Sequence, residues 1–383
     1  MSRLKILCFV PFYSPGFRAG GPTRAICNFV QLLGGDFDIK IICKDRDIKD
    51  FKPYQRLKID SWNKVGKAQV FYASKKTAGF IGICKLLNET EYDILYLNSI
   101  FTFNFTIIPL IVRRFNFAKF RPCLISSRGE LSENALKIKK LKKKIFLWTA
   151  KFIHLYQDLN WQASSELEAI DIKKEFGSTI KKIKILPDLI VPVKFKYKKK
   201  IYKKQKINIL FLSRISPMKN LDFLLRVFGK IITPVNLNIF GPKEDLNYWY
   251  KCQNLIKNLP SHINITVGDE VHPKKIPKIL KKNDLFVLPS KGENFGHIIA
   301  EALNVATPVL TSNLTLWKSD KLNGLKALPL NERKWIKIIE EWANLSADRL
   351  NKRKKAAKIY FDRINLKNNN LKEKIKSTFH AII

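Results

Sequence analysis

A chain of 383 residues with 46% apolar side chains is too long for one ordinary core and too apolar to be disordered throughout. Two domains of roughly 100–200 residues each are the expectation. The formal charge of +39 has two readings: compositional bias, since Lys, Ile and Asn are abundant together, or a negatively charged partner such as nucleic acid, anionic lipid or a phosphorylated substrate. Lysine scattered along the chain, in excess of arginine, argues against dedicated base readout.

Short β-like runs alternate with helical patterns from the start. LKILCFVPF is followed by PTRAICNFVQLL and DIKIICK, and AQVFYAS by GICKLLNE. YDILYLNS leads into a helical stretch ending near Arg114, and CLISSRG into a long helix expected from about Leu136 to Tyr156. LNWQASS, a helix over 166–176 and KIKILPD complete the first block. The strands are continuous apolar runs, as expected of a parallel sheet covered by helices on both faces. PVKFKYKKKIYKKQK has no stable period and reads as a linker or exposed loop.

The alternation then restarts with INILFLSRI and NLDFLLRVFGKII, and with VNLNIFG and a helix near 248–259. INITVGDE, a helix near 276–282, DLFVLPS, HIIAEALNV and PVLTS follow, and the chain is helical and charged from about Asn331. Two successive βαβ blocks imply an α/β protein of two doubly wound, Rossmann-like domains, with ligands at the carboxyl ends of the strands and the site in the cleft between. The expected divisions are a first domain over 1–192, a basic linker over 193–206, a second domain over 207–365, and a C-terminal helix over 366–383 placed to pack back on the first domain.

Six cysteines without a CxxC pair, several of them in apolar runs, predict neither a disulfide framework nor a zinc site and suggest a reducing compartment. MSRLKILCFVPFYSPG has basic residues and an apolar run, but Pro11 and the lack of a small-residue cleavage site argue against a signal peptide. The longest apolar stretch, near 107–112, is too short to span a bilayer.

The most informative segment is LFVLPSKGENFGHIIAEALNVATPVLTS, Leu285 to Ser312. A buried strand ends at Pro289 and Ser290, and a helix begins near Phe295–Gly296. The first amides of a helix lack internal partners and favour an anion, and Gly296 lets a backbone approach a ligand closely. Glu301 then has to face neutral groups that donate protons, such as ribose hydroxyls, because a carboxylate is unwelcome against phosphate. Side chains in helices lean toward the N-terminus, which lets Glu301 reach back over the first turn. Glu293, ahead of the helix, is placed to accept from hydroxyls of a sugar. In FLSRISPMKNLDFLL, Arg214 and Lys219 follow a strand, and a guanidinium fork with an ammonium suits a pyrophosphate.

This order of strand, PS, ENFG, helix, EAL and TPV resembles the donor-site motif of family-4 (group 1) retaining glycosyltransferases of the GT-B fold. Those enzymes carry a Glu, seven residues, and a second Glu. Here Asn294 and Ala306 stand where the family usually has glycine. LSR followed by Lys219 and Asn220 resembles the stretch whose Arg and Lys hold the pyrophosphate. Gly20 and Gly21, between the first strand and first helix, do not fit a dinucleotide GxGxxG fingerprint; in the resembled family a GG loop lines the donor side. SSRGELSENAL resembles a PRGML-type loop, with Glu130 where Met is frequent and Arg128 and Gly129 facing the site. YLNSIFTFNF resembles an acceptor-side loop, with Asn98 and Ser99 as acceptor contacts.

The resemblance implies a glycosyltransferase that moves a sugar from a nucleoside-diphosphate donor to an acceptor hydroxyl with retention of configuration. Arg214, Lys219 and Glu293 are the catalytic candidates. Gly20, Gly21, Asn294, Phe295, Gly296 and Glu301 are the donor-binding ones. No DxD-like acidic pair stands in a suitable loop, DRD at 45–47 included, and the cations can do the work of a metal, so no metal or other cofactor is expected. The expected acceptor is a saccharide or lipid-linked saccharide. Lys137, Lys139, Lys140, Lys142, Lys143 and Lys144, with Leu147, Trp148 and Phe152 beside them, suit an anionic membrane surface. The implied setting is surface-polysaccharide or lipid-linked oligosaccharide synthesis at the cytoplasmic face of the membrane, with no nucleic acid bound. Two other readings stay open: a sugar-nucleotide epimerase of the same architecture, and a basic nucleic-acid-binding protein, which predicts steep salt dependence.

Overall fold

In the computed structural model, residues 3–137, 139–177, 180, 182–193, 195, 197 and 206–383 are described. The chain divides into two units, one formed by 1–191 with 368–383 and the other by 192–367. The basic linker expected over 193–206 lies outside the described residues except at Val193, Phe195, Tyr197 and Lys206.

The first unit contains strands β1 (Lys5–Phe9), β2 (Asp38–Lys44), β3 (Trp62–Val65), β4 (Ala68–Ala73), β5 (Ile94–Asn98), β6 (Cys123–Ser126), β7 (Asn160–Ala163) and β8 (Lys182–Ile185). They form one sheet in the order β3-β4-β2-β1-β5-β6-β7-β8. All neighbours are parallel except β3 and β4. Helices α1 (Gly21–Leu33), α2 (Phe80–Glu89), α3 (Ile108–Arg114), α4 (Glu133–Lys137), α5 (Lys140–Phe152) and α6 (Glu166–Phe176) connect them, and a π-helical turn at Phe103–Ile107 precedes α3.

The period of two along each strand sorts this core into two faces. Leu7, Phe9, Leu95 and Leu97 pack with Leu86, Ile108, Leu147 and Ile172 on one side. Ile6, Cys8, Ile94 and Tyr96 pack with Ile26, Phe29 and Leu33 on the other, where the chain's last helix also lands. Phe379 there lies 5.6 Å from Phe29, 5.5 Å from Phe37 and 5.6 Å from Tyr96, ring to ring. Burying an aromatic of that size contributes about 1.5–3 kcal/mol.

The long helix expected over 136–156 is two helices. Lys139 takes a left-handed φ of 56° between α4 and α5, and Lys143 Nζ donates to Ala135 O at 2.7 Å across the break. A straight helix would stack Lys139 on Lys143, a like-charge pair that disfavours its continuation.

The second unit has strands β9 (Asn208–Leu212), β10 (Val235–Phe240), β11 (Ile263–Gly268), β12 (Leu285–Leu288), β13 (Val309–Ser312) and β14 (Leu325–Leu328). Their order is β11-β10-β9-β12-β13-β14, all parallel. Helices α7 (Leu221–Phe228), α8 (Leu246–Lys257), α9 (Ile276–Lys282), α10 (His297–Asn304) and α11 (Glu332–Ala343) alternate with them. The last helix, α12 (Ala347–His380), packs on this unit so closely that a Cβ at Gly324 would lie 2.3 Å from Ala357 N. The strand order reverses between β9 and β12, the switch point where open α/β sheets bind ligands. In the first unit the equivalent point lies between β1 and β5.

Candidate functional site

At the second switch point, the loops after β9 and β12 are tied together by buried hydroxyls. Ser290 Oγ lies 2.8 Å from Gly292 O and 3.2 Å from Met218 O, within reach of its one proton, and Lys291 N donates to Met218 O at 2.8 Å. Ser312 Oγ, at the end of β13, donates to Ser290 O. These ties bring Lys219 against Glu293, with Nζ and Oε1 2.5 Å apart and side chains only 13% and 10% exposed. Two residues expected to share a site from separate motifs are therefore one ion pair. An ammonium has three donors, so a carboxylate partner leaves two for other oxygens.

Arg214 sits at the same sheet edge, two residues past β9. Its Nη1 lies 3.0 and 3.2 Å from the two carboxylate oxygens of Glu244, and its side chain is 46% exposed. An exposed pair of this kind contributes only about 0–1 kcal/mol, so a diphosphate can displace it. Gly241, which sequence reading passed over, makes the edge possible. Its φ is 146°, and a Cβ there would lie 1.8 Å from Ser213 O. The sequence signal was Gly followed by Pro directly after a strand.

The helix carrying the second glutamate begins as expected. Gly296 caps α10 with a left-handed φ of 81°. Trp317 Nε1, also missed in the sequence, donates to Phe295 O at 2.6 Å and would lie 3.2 Å from any Cβ at 296. The Phe295 ring packs 4.8 Å from His297 and 5.8 Å from Trp317. Asn294 is partly exposed in the preceding loop. Glu301 is half-buried on α10, one turn beyond His297 on the same face.

In the first unit, the residues expected to face an acceptor are held more tightly. Arg128 donates to Asp188 Oδ1 at 2.5 Å, to Asn98 Oδ1 at 2.6 and 3.0 Å, and to Tyr96 Oη at 3.0 Å, and its side chain is 5% exposed. Burial alone would lower its basicity, but Tyr96, Asp188 and Glu168 outweigh that and hold the guanidinium charged. The guanidinium is thus turned into the sheet edge. Asn98 donates in turn to Cys8 Sγ at 3.3 Å. Gly129, at φ 76°, donates its amide to Glu168 Oε1 at 2.6 Å.

Ser99 has a φ of 114°, unusual for a residue with a side chain, and its Oγ lies 3.0 Å from both carboxylate oxygens of Glu130. Glu130 also accepts from Ile100 N at 2.7 Å and Phe101 N at 3.2 Å. Burial raises the pKa of this carboxyl above the usual range against those hydrogen bonds. The residue that departs from the family's methionine is therefore the clamp that holds the Ser99 loop. Gly20 caps α1 at φ 70° and ψ −126°, a conformation open to glycine rather than to side-chain residues, and Gly21 is the first residue of the helix. The preceding loop is pinned by Asp47, which accepts from Phe17 N at 2.8 Å and Arg18 N at 3.1 Å.

The lysine-rich helix α5 presents Leu141, Ile145, Trp148 and Phe152 to solvent, with Trp148 67% and Phe152 75% exposed. Their spacing places them along one face, and the two aromatic rings stack 6.0 Å apart. Leu147, expected to join that surface, is buried in the core instead. Among the described residues no cluster of His, Cys, Asp or Glu could hold a metal ion, and no helix is long and apolar enough to cross a membrane.

Residues 193–358 match the family model described as Glycosyl transferases group 1. An uncharacterized 41.2 kDa protein in the cps region of Klebsiella pneumoniae is 23% identical over 333 residues, covering 84% of this chain and 86% of that protein. The UDP-Gal:alpha-D-GlcNAc-diphosphoundecaprenol alpha-1,3-galactosyltransferase of Escherichia coli is 26% identical over 333 residues, covering 82% and 79%. Among solved structures, Anabaena Alr3699/HepE in complex with UDP and glucose superposes with a TM-score of 0.70 at 14% identity, over 99% of this chain and 100% of that one.

Proposed function

From the premise that this chain is a glycosyltransferase with a group 1 domain and the GT-B fold, we propose that it moves a sugar from a nucleoside-diphosphate donor to a saccharide hydroxyl, with retention of configuration. The observation that carries this reading is the Lys219–Glu293 pair at the β9/β12 switch point. Lys219 and Arg214 receive the charge that develops on the departing diphosphate, which is the role a metal plays elsewhere. Glu293 keeps Lys219 in place and accepts from hydroxyls of the transferred sugar. The first amides of α10, with Asn294, Phe295 and Gly296 around them, face the same diphosphate. Glu301 leans back over that turn to the ribose hydroxyls. Gly20 and Gly21 form the donor-side loop of the first unit.

UDP is the first nucleotide to test, because the E. coli galactosyltransferase has UDP-Gal in its name and the Anabaena protein was solved in complex with UDP and glucose. The acceptor is a saccharide on a lipid diphosphate, and the work belongs to polysaccharide synthesis at a membrane surface, as the relatives' names suggest. The exposed stripe of α5 with its flanking lysines supports a peripheral seat on anionic lipid. The family match favours transfer over the epimerase and nucleic-acid readings. A thermal-shift panel of UDP- and GDP-sugars tests the donor assignment, since a ligand that binds only the native state raises the melting point. A shift with one of them that Lys219→Ala abolishes supports the site; no shift with any of them removes it.

A further inference from the structure

The first unit contains a cavity of about 450 Å³ that none of the assignments above uses. It opens at the carboxyl edge of the sheet, where β1 runs on to Phe12, β2 ends at Lys44 and β4 ends at Ala73, and the π-helical turn closes it with Asn104 and Phe105. Its size falls within the usual range for a small-molecule site.

The charges in its wall are unevenly committed. Asp45 accepts from Arg46 Nε at 2.7 Å and from Nη2 at 2.9 Å. Asp47 accepts from the amides of Phe17, Arg18 and Ile48, and Asp50 from Arg18. Each carboxylate thus has its own donors. Lys44 is half-buried, with its ammonium 4.8 Å over the Phe12 ring, and among the described residues no carboxylate pairs with it. Burial lowers its pKa, and nothing opposes that shift. Lys49 and Lys75 stand exposed at the rim, also without an ion-pair partner among the described residues. A half-buried ammonium is costly unless a counter-charge joins it. Asn104 adds a neutral contact: its amide nitrogen donates to Ala78 O at 2.6 Å, which leaves the side-chain oxygen to accept from a hydroxyl.

We propose that this cavity binds the phosphate end of a sugar phosphate ester, with Lys44 as the inner ammonium, Lys49 and Lys75 as the outer ones, and Asn104 on a sugar hydroxyl. The anion site stands on the geometry alone; its identification with the acceptor rests on the transfer reading above. The shared chemistry is a phosphate or diphosphate, carried either on a lipid or on a soluble sugar.

The test uses the full chain saturated with UDP, so that the donor side is occupied, and titrates inorganic pyrophosphate by calorimetry. Lys44→Met is expected to weaken pyrophosphate binding about tenfold or more, and Lys75→Ala about threefold, without changing UDP affinity. Lys75 is exposed, so its variant keeps the test valid if Lys44→Met fails to fold. Acceptor kinetics then separate the sources. A rise in KM for a lipid-diphosphate saccharide in Lys44→Met assigns the site to the lipid-linked acceptor, and a rise for a soluble sugar phosphate assigns it to that ligand. Pyrophosphate binding that depends on Lys44 in a protein that transfers no sugar would keep the anion site and refute the transfer reading. Pyrophosphate affinity unchanged in both variants overturns the site.

Discussion

Arg128 and Arg214 each stand two residues past the end of a parallel strand, β6 and β9, in similar local sequence: SSRG and LSRI. They meet opposite fates. Next to Arg128, β5 carries Tyr96 and Asn98 and the segment after β8 supplies Asp188, so each of its guanidinium nitrogens is hydrogen-bonded and the side chain is 5% exposed. Next to Arg214, β10 runs on into Gly241 and Pro242, which offer no side-chain acceptor, and the exposed Glu244 is the carboxylate that reaches it among the described residues. A strand-end arginine is buried and held where neighbouring strands provide acceptors, and stays exposed where they do not.

That contrast can be broken by substitution. The largest expected loss of stability is for Arg128→Leu, which takes the guanidinium away from the buried Asp188 carboxylate and should cost about 3–5 kcal/mol by urea unfolding. Arg214→Leu should stay within about 0.5 kcal/mol of wild type in the same assay. Gly241→Ala comes next: a Cβ 1.8 Å from Ser213 O at a φ of 146° should cost about 2 kcal/mol or more and separate β9 from β10.

Acid should distinguish the units as well. Burial would raise the pKa of Asp222, but hydrogen bonds from Lys251, Tyr248 and Arg226 outweigh it and hold the carboxyl well below its ordinary 3.8. Its stabilisation is present above that value and is lost as pH falls beneath it. The carboxyl of Glu130 is shifted the other way, so its contribution is complete below 4.5 and declines as pH rises through its raised value. Melting curves from pH 7 to pH 3 should therefore show Asp222→Asn about 2 kcal/mol less stable than wild type near neutrality, with the difference narrowing in acid. Glu130→Gln should show its smallest deficit at the alkaline end. The smallest stability effect is expected on α5. Replacing Trp148 and Phe152 by Ser should change folding by less than about 0.5 kcal/mol, yet weaken binding to anionic vesicles about tenfold or more in a sedimentation assay.

The alternation of strand and helix, the parallel sheets and the ENFG helix start were legible because they depend on local periodicity and capping. That Lys219 and Glu293 share a site followed only from the family likeness, and their ion pair was not foreseen, since 74 residues separate them. The Arg128–Asp188 pair spans 60 residues, and no local pattern marks it. The short strands β3 and β14 gave too few alternations to register, and no local pattern marks Trp317, whose indole donates to Phe295 O 22 residues away. Glu130 was read as a departure from a motif because burial of a carboxylate leaves no trace in sequence.

The most direct test is steady-state sugar transfer by Lys219→Ala, Arg214→Ala and Glu301→Ala beside wild type, with melting temperatures measured on the same samples. The account predicts that kcat/KM falls about a hundredfold or more in each, while Arg214→Ala and Glu301→Ala melt close to wild type. Transfer at the wild-type rate in all three would contradict it.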